Sequence, residues 1–381
     1  MTNTKRIKTF PILKTSAKSV QTTRVVCTNF SCSLYRLQPC VAEFTSKLLF
    51  ILNCHSIYTF PCYNLVPRVN KKGLLRLSIN MENIVFKPIT LEDREIIQKY
   101  TLHGASQICD LSFANLYGWS DRYQTSWAIV ADSLAIRFQP ATHNHPAYLM
   151  PVCGCTKEFK TVIHQLNQIS LDNGFPLILM GISPTCRDII DQFSEGTFEY
   201  IHDMGAEDYV YLREKMVSLS GKHLQPKRNH INKFEKLYPE YQFEEITDAN
   251  LEECLALGQD WLEHKEVDSS RLAEQKMIEK CLRHREELGL LTGALRVDGK
   301  IIAFTFGSPI NQDTFDIHVE KADISYEGAF AMINREFAKR IPEQYTYINR
   351  EEDLGLEGLR KSKLSYKPAL MLIKDVAVLR H

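Results

Sequence analysis

The sequence predicts an α/β (α+β) protein with two tandem domains, each a mixed sheet flanked by helices, behind a disordered N-terminal arm. Three observations predict it: strand and helix patterns alternate twice along residues 81–381, a basic segment separates the two series, and charge is unevenly distributed. The 381 residues are 44% hydrophobic and 24% charged, as in an ordinary globular protein. Collagen, a wholly disordered chain and a small disulfide scaffold are therefore excluded.

The formal net charge of zero hides two unlike segments. Residues 1–80 hold 12 Lys/Arg and one acid, Glu43, whereas residues 81–381 hold 34 Lys/Arg and 45 Asp/Glu. The longest apolar run of the arm, Leu48–Leu52, is far shorter than the roughly 20 residues that span a bilayer. We expect residues 1–80 to be a disordered basic arm; a transit peptide and a nucleic-acid-binding arm are the alternatives.

Met81 begins a strand pattern followed by a helix pattern that Thr90 would cap. Because this folded pattern and the change in charge coincide, we predict that Met81 is the initiator and that residues 1–80 are not translated in the native protein. The intact mass of the native protein should then match a chain that begins at Met81. A product that begins at Met1 would contradict this prediction.

Residues 81–215 are predicted to form the first domain. Its pattern consists of a hairpin, short strands and two helices, and the apolar strand at Pro176–Ile182 is typical of burial on both faces. The predicted elements are a hairpin at Trp127–Arg137, strands at Tyr148–Val152, Pro176–Ile182 and Asp208–Leu212, and helices over 159–173 and Pro184–Phe193.

Residues 216–240 form a basic bridge, predicted to contain a helix that Pro226 helps to start. Its cations can neutralise the phosphates of a polyanion such as tRNA, although a solvated helix face explains them as well. The basic residues are Lys222, His223, Lys227, Arg228, His230, Lys233 and Lys236.

Residues 241–381 are predicted to form the second domain. Asp298-Gly299 predicts a tight hairpin turn, because these residues readily adopt the positive φ angles of a type I′ turn. The other predicted elements are strands at Tyr241–Ile246, Leu290–Val297, Lys300–Gly307, Thr314–Val319, Tyr345–Asn349 and Leu370–Val376, and helices at 248–262, Asp268–Glu287 and Gly328–Arg340.

This order of elements is that of an acyl-CoA N-acyltransferase-like domain, and the first domain gives a looser version of it. Four segments resemble an uncharacterised family related to the C-terminal domain of phosphatidylglycerol lysyltransferase. The resemblance covers essentially all of residues 81–381. The segments are Phe86–Asp93, Ser112–Trp119, Gly221–Phe234 and Tyr347–Pro368.

The resemblance implies two tandem acyl-CoA N-acyltransferase-like domains and an acyltransferase of the aminoacyltransferase type. Characterised relatives move an aminoacyl group from charged tRNA to an amine or hydroxyl. The donor is thus aminoacyl-tRNA or, alternatively, acetyl-CoA; the acceptor is a small molecule, a peptide or a lipid headgroup. The sequence contains no transmembrane segment, and we expect a cytoplasmic protein. The alternatives are an acetyl-CoA-dependent N-acetyltransferase and a non-catalytic binding module.

Polar residues follow the strand that ends at Asn349, and ligands of α/β sheets collect at strand ends. We predict Asn349 as catalytic, Arg350 as a ligand for carboxylate or phosphate, and Glu351 or Asp353 as a partner of an α-amino group. Acidic residues at a helix N-terminus are the structural alternative. Two further predicted residues follow: Lys363, as a catalytic stabiliser of phosphate or leaving group, and Tyr366, as substrate-binding.

Glu320 follows the strand Thr314–Val319, where it is a candidate general base for an acceptor amine. Lys227 and Arg228 are the predicted tRNA-binding residues of the bridge. Gly328 is the predicted cofactor-binding residue, since it lies where acetyl-CoA enzymes hold pyrophosphate at a helix N-terminus. However, Ser325 and Phe330 replace the favourable residues there, and Glu327 would repel phosphate, so close packing is the alternative role of Gly328.

No metal site is predicted from the sequence. Cys153-Gly-Cys155 is a single pair, and His143-Asn-His145 lacks a third ligand nearby. The 11 cysteines match no metal signature, so reduced thiols are the simplest interpretation. Neither a Gly-x-Ser-x-Gly motif nor a Ser-His-Asp order with family-grade flanks occurs.

Overall fold

The computed structural model describes residues 65–69, 75–79, 84–141, 144–154, 156–193, 197–263 and 269–380. The chain divides into two compact units, residues 1–83 and 84–381. In the first unit, Leu65–Val69 pairs antiparallel with Leu75–Ile79. The prediction that residues 1–80 form a disordered arm stays a prediction. The alternation of Leu75, Leu77 and Ile79 with polar residues favours such a strand. The rest of the predicted arm, Met81, His143 and Cys155 lie outside the described residues.

The second unit contains all the other strands and helices. Its strands, in chain order, are β1 (Lys87–Pro88), β2 (Ser126–Val130), β3 (Ser133–Phe138), β4 (Ala147–Leu149), β5 (Ile178–Ile182), β6 (Thr197–Ile201), β7 (Asp208–Leu212), β8 (Gln242–Glu244), β9 (Leu291–Val297), β10 (Lys300–Pro309), β11 (Thr314–Ala322), β12 (Tyr347–Asn349), β13 (Leu370–Leu372) and β14 (Asp375–Arg380). Its helices are α1 (Arg94–Thr101), α2 (Phe113–Gly118), α3 (Ser120–Tyr123), α4 (Thr156–Asp172), α5 (Pro184–Phe193), α6 (Arg213–Ser218), α7 (Gln225–Leu237), α8 (Leu251–Glu263), α9 (Ser269–Arg283), α10 (Arg285–Leu288), α11 (Ala329–Arg340) and α12 (Glu357–Leu364).

Two seven-stranded sheets share one topology. The first has the order β1-β2-β3-β4-β5-β14-β6, and the second has the order β8-β9-β10-β11-β12-β7-β13. In each sheet the first four strands are antiparallel, and the fourth pairs parallel with the fifth: β4 with β5 in the first sheet and β11 with β12 in the second. Two antiparallel strands then complete the sheet. The predicted fold class, two tandem mixed sheets flanked by helices, is confirmed.

The two sheets exchange one strand each. β7 comes from the first half of the sequence but lies between β12 and β13 of the second sheet. β14, at the end of the chain, lies between β5 and β6 of the first sheet. Both exchanged strands occupy the same position, next to the parallel pair. The exchange joins the two halves through main-chain hydrogen bonds. The domain boundaries at residues 215 and 241 stay predictions.

The predicted single strand Leu370–Val376 is wrong, because the structure contains two strands there. β13 ends at Leu372 and β14 starts at Asp375, in different sheets. Lys374, at the crossing between them, is 7% exposed and forms an ion pair with Asp208. The charged pair Lys374-Asp375 interrupts the apolar pattern at this crossing, but the prediction ran one strand through it.

Local sequence signals explain several of the element boundaries. Thr90 forms a capping box with Asp93 ahead of α1. Pro226 lies in the first turn of α7, where its missing N–H costs nothing. Asp298 and Gly299 have φ angles of 48° and 81°, as the predicted hairpin turn requires.

The apolar core between the two sheets mixes residues of both halves. Phe113 and Trp127 belong to the same buried cluster as Met277, Phe304 and Val319. Burial of each such side chain stabilises the fold by roughly 1.5–3 kcal/mol. A second cluster packs α7 and α11 on the opposite face of the second sheet. The second sheet is therefore covered on both faces.

A charge in β14 should destabilise the first sheet. Ala377 is fully buried and pairs with Leu179 on one side and Tyr200 on the other. We expect Ala377→Asp to lower the free energy of unfolding by about 3–5 kcal/mol, because it buries an unpaired carboxylate. The control Met371→Asp lies on the exposed edge strand β13 and should cost under about 1 kcal/mol. Equal losses in urea unfolding would contradict the placement of β14.

Candidate functional site

The parallel strands β11 and β12 diverge after a short pairing. Only Thr314–Asp316 of β11 pairs with Tyr347–Asn349 of β12. β11 continues to Ala322 beside β10, whereas the chain turns away after Asn349. The strand tip, residues 349–353, therefore lies where ligands of α/β sheets usually collect.

A β-bulge determines which way the polar residues of β11 face. Phe306 pairs with Val319 and Gly307 pairs with Ile317, so His318 is an extra residue on β11. Residues two apart share a face of a regular strand, but one extra residue reverses the alternation. His318 and Glu320 consequently make contacts on opposite faces of the second sheet.

On the α11 face, five polar or aromatic residues form what we call the Arg350 cluster: Lys227, Glu320, Asn334, Arg350 and Tyr366. The guanidinium of Arg350 lies 3.1 Å from the carboxylate of Glu320, and Asn334 donates a 2.7 Å hydrogen bond to the same carboxylate. Arg350 and the ammonium of Lys227 lie 5.0 and 4.0 Å from the ring centre of Tyr366. The structure thus brings together four residues that the sequence predicted separately.

The Arg350 cluster contains buried polar atoms that the described residues leave without a partner. Nη1 of Arg350 and Oδ1 of Asn334 have no hydrogen-bond partner within the described part of the chain. Burial, followed by the positive charge of Arg350, lowers the pKa of Lys227 to about 8. Nη1 of Arg350 can donate to a negatively charged or carbonyl oxygen of a ligand, and Oδ1 of Asn334 can accept from a positively charged group. Together with Lys227, whose pKa is lowered, these atoms can bind a ligand that carries both charge signs.

Asn349 and Lys363, both predicted as catalytic, hold the main chain of the strand tip. Asn349 is fully buried on the other face, where it donates to Asp208 and to the carbonyl of Gln107, 2.8 Å each. Its side-chain oxygen accepts the N–H of Glu351 at 2.7 Å. The ammonium of Lys363 donates to the carbonyls of Arg350 and Glu352, and burial lowers its pKa. Their predicted catalytic roles stay predictions.

Asp353, predicted to bind an amino group, is fully buried, and both of its carboxylate oxygens accept hydrogen bonds from neighbouring residues. It accepts hydrogen bonds of 2.6 and 3.0 Å from Arg360 and one of 2.6 Å from the hydroxyl of Tyr209. The N–H of Gly355 donates to it as well, at 2.8 Å. Hydrogen bonds from Arg360 lower the pKa of Asp353 to about 2, against the opposing effect of burial.

On the face opposite the Arg350 cluster, the structure contains a buried histidine cluster that the sequence did not predict. Nδ1 of His318 lies 3.2 Å from Asp316 and 3.3 Å from Glu351. Asn115 donates a 2.8 Å hydrogen bond to Glu351, and Ser308 lies 2.8 Å from Nε2 of His318. Glu351 adopts a left-handed backbone with φ 58°, which directs its side chain away from a regular strand path.

A second buried group surrounds Lys374. Its ammonium lies 2.8 Å from Asp208 and 2.9 Å from Asp110, and it also pairs with Glu352. Burial lowers the pKa of Lys374, but the surrounding carboxylates reverse this and hold it well above its ordinary value. The thiol of Cys109 lies 3.6 Å from the ammonium, and burial raises its pKa. No sequence motif indicated this group, because its members are far apart along the chain.

The basic residues of the bridge have different surroundings in the structure. Arg228 donates to the carbonyls of Leu219 and Gly221, so it holds the turn that precedes α7. Lys233 pairs with Glu327 at 2.5 Å. Lys222 and Lys236 are exposed. The structure therefore separates Lys227, which belongs to the Arg350 cluster, from its neighbour Arg228.

Gly328 lies against α7. Its φ is +91°, and a Cβ at this position would lie 2.5 Å from the carbonyl oxygen of His230. Close packing of α7 on the start of α11 thus requires glycine here. The predicted role of Gly328 in cofactor binding stays a prediction.

Comparison with known proteins first defines the class. The two matching sheets form a tandem acetyltransferase-like fold. The family model "Phosphatidylglycerol lysyltransferase, C-terminal" matches residues 104–372. The chain belongs to this family, which confirms the resemblance drawn from the motifs.

Solved structures share this fold. A conserved protein of unknown function from Bacteroides thetaiotaomicron is 43% identical, with a TM-score of 0.75 over 78% of this chain and 100% of that chain. L-PGS from Bacillus licheniformis is 17% identical, with a TM-score of 0.56 over 78% of this chain and 94% of that chain, which supports the fold.

One curated relative also matches. An uncharacterised protein of Mycoplasmoides gallisepticum is 27% identical over 175 residues, 46% of this chain. The match spans 56% of that protein, so the chain covers little more than half the length of this relative. Among the described residues, no helix has both the length and the apolar character needed to cross a bilayer.

Replacing Asp353 should remove a pH-dependent part of the stability. Because the folded-state pKa of about 2 lies below the ordinary 3.8, the contribution is present above pH 4 and is lost as the pH falls toward 2. We expect Asp353→Asn to lower the free energy of unfolding by about 2 kcal/mol at pH 7, and by progressively less below pH 4. Asp298→Asn, in an exposed turn, should change it by under about 0.5 kcal/mol. A loss that stays constant from pH 7 to pH 3 in urea unfolding would count against this account.

Proposed function

We propose that this protein is an aminoacyltransferase that takes an aminoacyl group from charged tRNA and transfers it to an amine or hydroxyl acceptor. One observation carries the proposal: the Arg350 cluster, at the diverging ends of β11 and β12, holds a buried donor and a buried acceptor without partners among the described residues. Membership of the phosphatidylglycerol lysyltransferase C-terminal family supports the same class of reaction.

An aminoacyl ester has the groups that this cluster lacks. Its carbonyl oxygen can accept a hydrogen bond from Nη1 of Arg350, and its α-ammonium group can donate to Oδ1 of Asn334 and to Glu320. When the acceptor attacks the carbonyl carbon, the oxygen gains negative charge that a guanidinium stabilises. The ester C–O bond then breaks and the 3′ oxygen of the tRNA leaves.

Proton transfer has two candidate groups in the cluster. Glu320, the base predicted from the sequence, lies within hydrogen-bonding distance of Arg350 and Asn334. Lys227, with a pKa of about 8, exchanges a proton near neutral pH more readily than an ordinary lysine. We assign acceptor deprotonation to Glu320 and protonation of the leaving 3′ oxygen to Lys227. Asn349 and Lys363 act as positioning residues, since both hold the main chain of the strand tip.

The donor tRNA is proposed to lie along the basic bridge. Lys222 and Lys236 are exposed, and each phosphate they neutralise releases counterions and so favours binding at low salt. The acceptor is an amine or hydroxyl of a small molecule, a peptide or a lipid headgroup. Acetyl-CoA as donor is the second candidate; the packing of α7 on Gly328 favours it less, because the helix covers the place where pyrophosphate would bind.

A ligand panel tests the donor site. A non-hydrolysable 3′-aminoacylamino adenosine should raise the melting temperature of the protein, and acetyl-CoA should not. Arg350→Lys should abolish the shift, because lysine cannot supply the same planar donors. Arg213→Lys is the control, since Arg213 is an arginine that donates to the main-chain carbonyl of Ile341 and lies outside the cluster. A shift with acetyl-CoA alone would favour the acetyltransferase, and no shift with either ligand would favour a non-catalytic binding module.

Charge reversal on the bridge tests the tRNA interaction. Lys222→Glu with Lys236→Glu should weaken tRNA binding at least tenfold at low salt and reduce the slope of affinity against salt concentration by about 2. Lys99→Glu with Lys276→Glu introduces the same charge change at exposed positions elsewhere and should leave binding nearly unchanged. Filter binding with bulk tRNA measures both. Equal weakening by the two pairs would reject a localised tRNA surface.

A further inference from the structure

The histidine cluster has the dimensions of a metal site. Its candidate ligand atoms, from Asp316, His318 and Glu351, all lie within 4.8 Å of one another. Nδ1 of His318 is 3.2 Å from the Asp316 oxygen and 3.3 Å from the Glu351 oxygen. In a tetrahedral zinc site with bonds of about 2.0–2.1 Å, neighbouring ligand atoms lie about 3.3–3.4 Å apart. The two distances therefore suit a shared ion.

A second observation points to a missing cation. Asp316 is fully buried, and its Oδ1 has no hydrogen-bond partner among the described residues. A buried carboxylate oxygen without a partner is costly, because it has lost its water. Its companion Oδ2 lies 3.2 Å from Nδ1 of His318. Because the two oxygens share one carboxylate, Oδ1 also lies close to the histidine cluster.

In the neighbouring lysine group, a lysine neutralises the charge of the buried carboxylates. There the ammonium of Lys374 supplies the positive charge to Asp110, Asp208 and Glu352. Within the described residues, no lysine or arginine forms an ion pair with Asp316 or Glu351. In this part of the chain, a proton on the imidazole of His318 is therefore the positive charge that a bound metal ion would replace.

We propose that Asp316, His318 and Glu351 bind one divalent transition-metal ion, and that Zn²⁺ fits this site best. One imidazole nitrogen and two carboxylate oxygens form a ligand set that zinc accepts in four-coordinate sites. Three protein ligands leave the fourth position for water or for an oxygen of a ligand. The side chain of Glu351 is 21% exposed, which gives the ion a path of entry.

The surroundings of His318 orient it as a metal ligand. Ser308 lies 2.8 Å from Nε2, so Nε2–H can donate to the serine oxygen while the lone pair of Nδ1 faces the two carboxylates. Such a hydrogen bond on the remote nitrogen is the usual support of a metal-bound histidine. The β-bulge at His318 makes this possible, since it determines the face on which the imidazole lies.

Metal analysis of the full chain tests the proposal. Protein purified without chelators should contain about one zinc per chain by elemental mass spectrometry. After dialysis against a chelator, Co²⁺ should restore an equimolar site with the intense visible bands of four-coordinate cobalt. His318→Gln should abolish these bands. Ser308→Ala should weaken Co²⁺ binding about 10- to 100-fold, as loss of a supporting hydrogen bond does.

Control variants distinguish this site from metal binding elsewhere in the chain. Ser133→Ala removes an equally buried serine from the first sheet and should leave Co²⁺ binding unchanged. A thiolate-to-cobalt charge-transfer band would place the metal at a cysteine, such as Cys109, and overturn the proposal. Absence of zinc together with absence of cobalt bands, or unchanged binding in Ser308→Ala, would overturn it as well. If His318→Gln does not fold, the wild-type spectrum and the Co²⁺ affinity of Ser308→Ala still test whether the metal binds at this site. None of these readouts depends on transferase activity.

Discussion

The insertion of β7 into the second sheet is the constraint on which the strand tip depends. β7 pairs with β12 on one side and with β13 on the other. Its residue Tyr209 exchanges main-chain hydrogen bonds with Arg350 and Glu351, and its hydroxyl binds Asp353. Asp208, at the start of the strand, binds both Asn349 and Lys374. A strand from the first half of the sequence thus fixes the polar residues of the second half.

The two faces of the second sheet differ in charge. On the α11 face, Lys227 and Arg350 outnumber the single carboxylate of Glu320 within the Arg350 cluster. On the opposite face, the carboxylates of the two buried groups outnumber His318 and Lys374. Unpaired charge is costly in a low-dielectric interior, so the excess of carboxylates favours a cation. The Arg350 cluster, with an unpartnered donor and an unpartnered acceptor among the described residues, instead suits a ligand that carries both charge signs. Two functional proposals follow from the two faces, an aminoacyl group on one and a metal ion on the other.

Several predicted site residues form hydrogen bonds with the backbone of the strand tip or with neighbouring side chains. Lys363 binds two main-chain carbonyls, and Asn349 binds one carbonyl and one N–H. Asp353 is held by Arg360 and Tyr209. Polar residues in a motif therefore include those that shape the loop as well as those that meet a ligand. Only the contacts of each side chain distinguish the two kinds.

The sequence by itself determined the two alternating series, the hairpin at Asp298-Gly299 and the family. These features rest on local signals such as periodicity, turn residues and motif order, which act over a few neighbouring residues. The tertiary structure alone decided the exchange of β7 and β14, the break between Leu372 and Asp375, and the bulge at His318. Each of these depends on pairing between strands that are distant along the chain. Periodicity within one segment carries no information about which strand will lie beside it, and for that reason the histidine and lysine clusters could not be predicted.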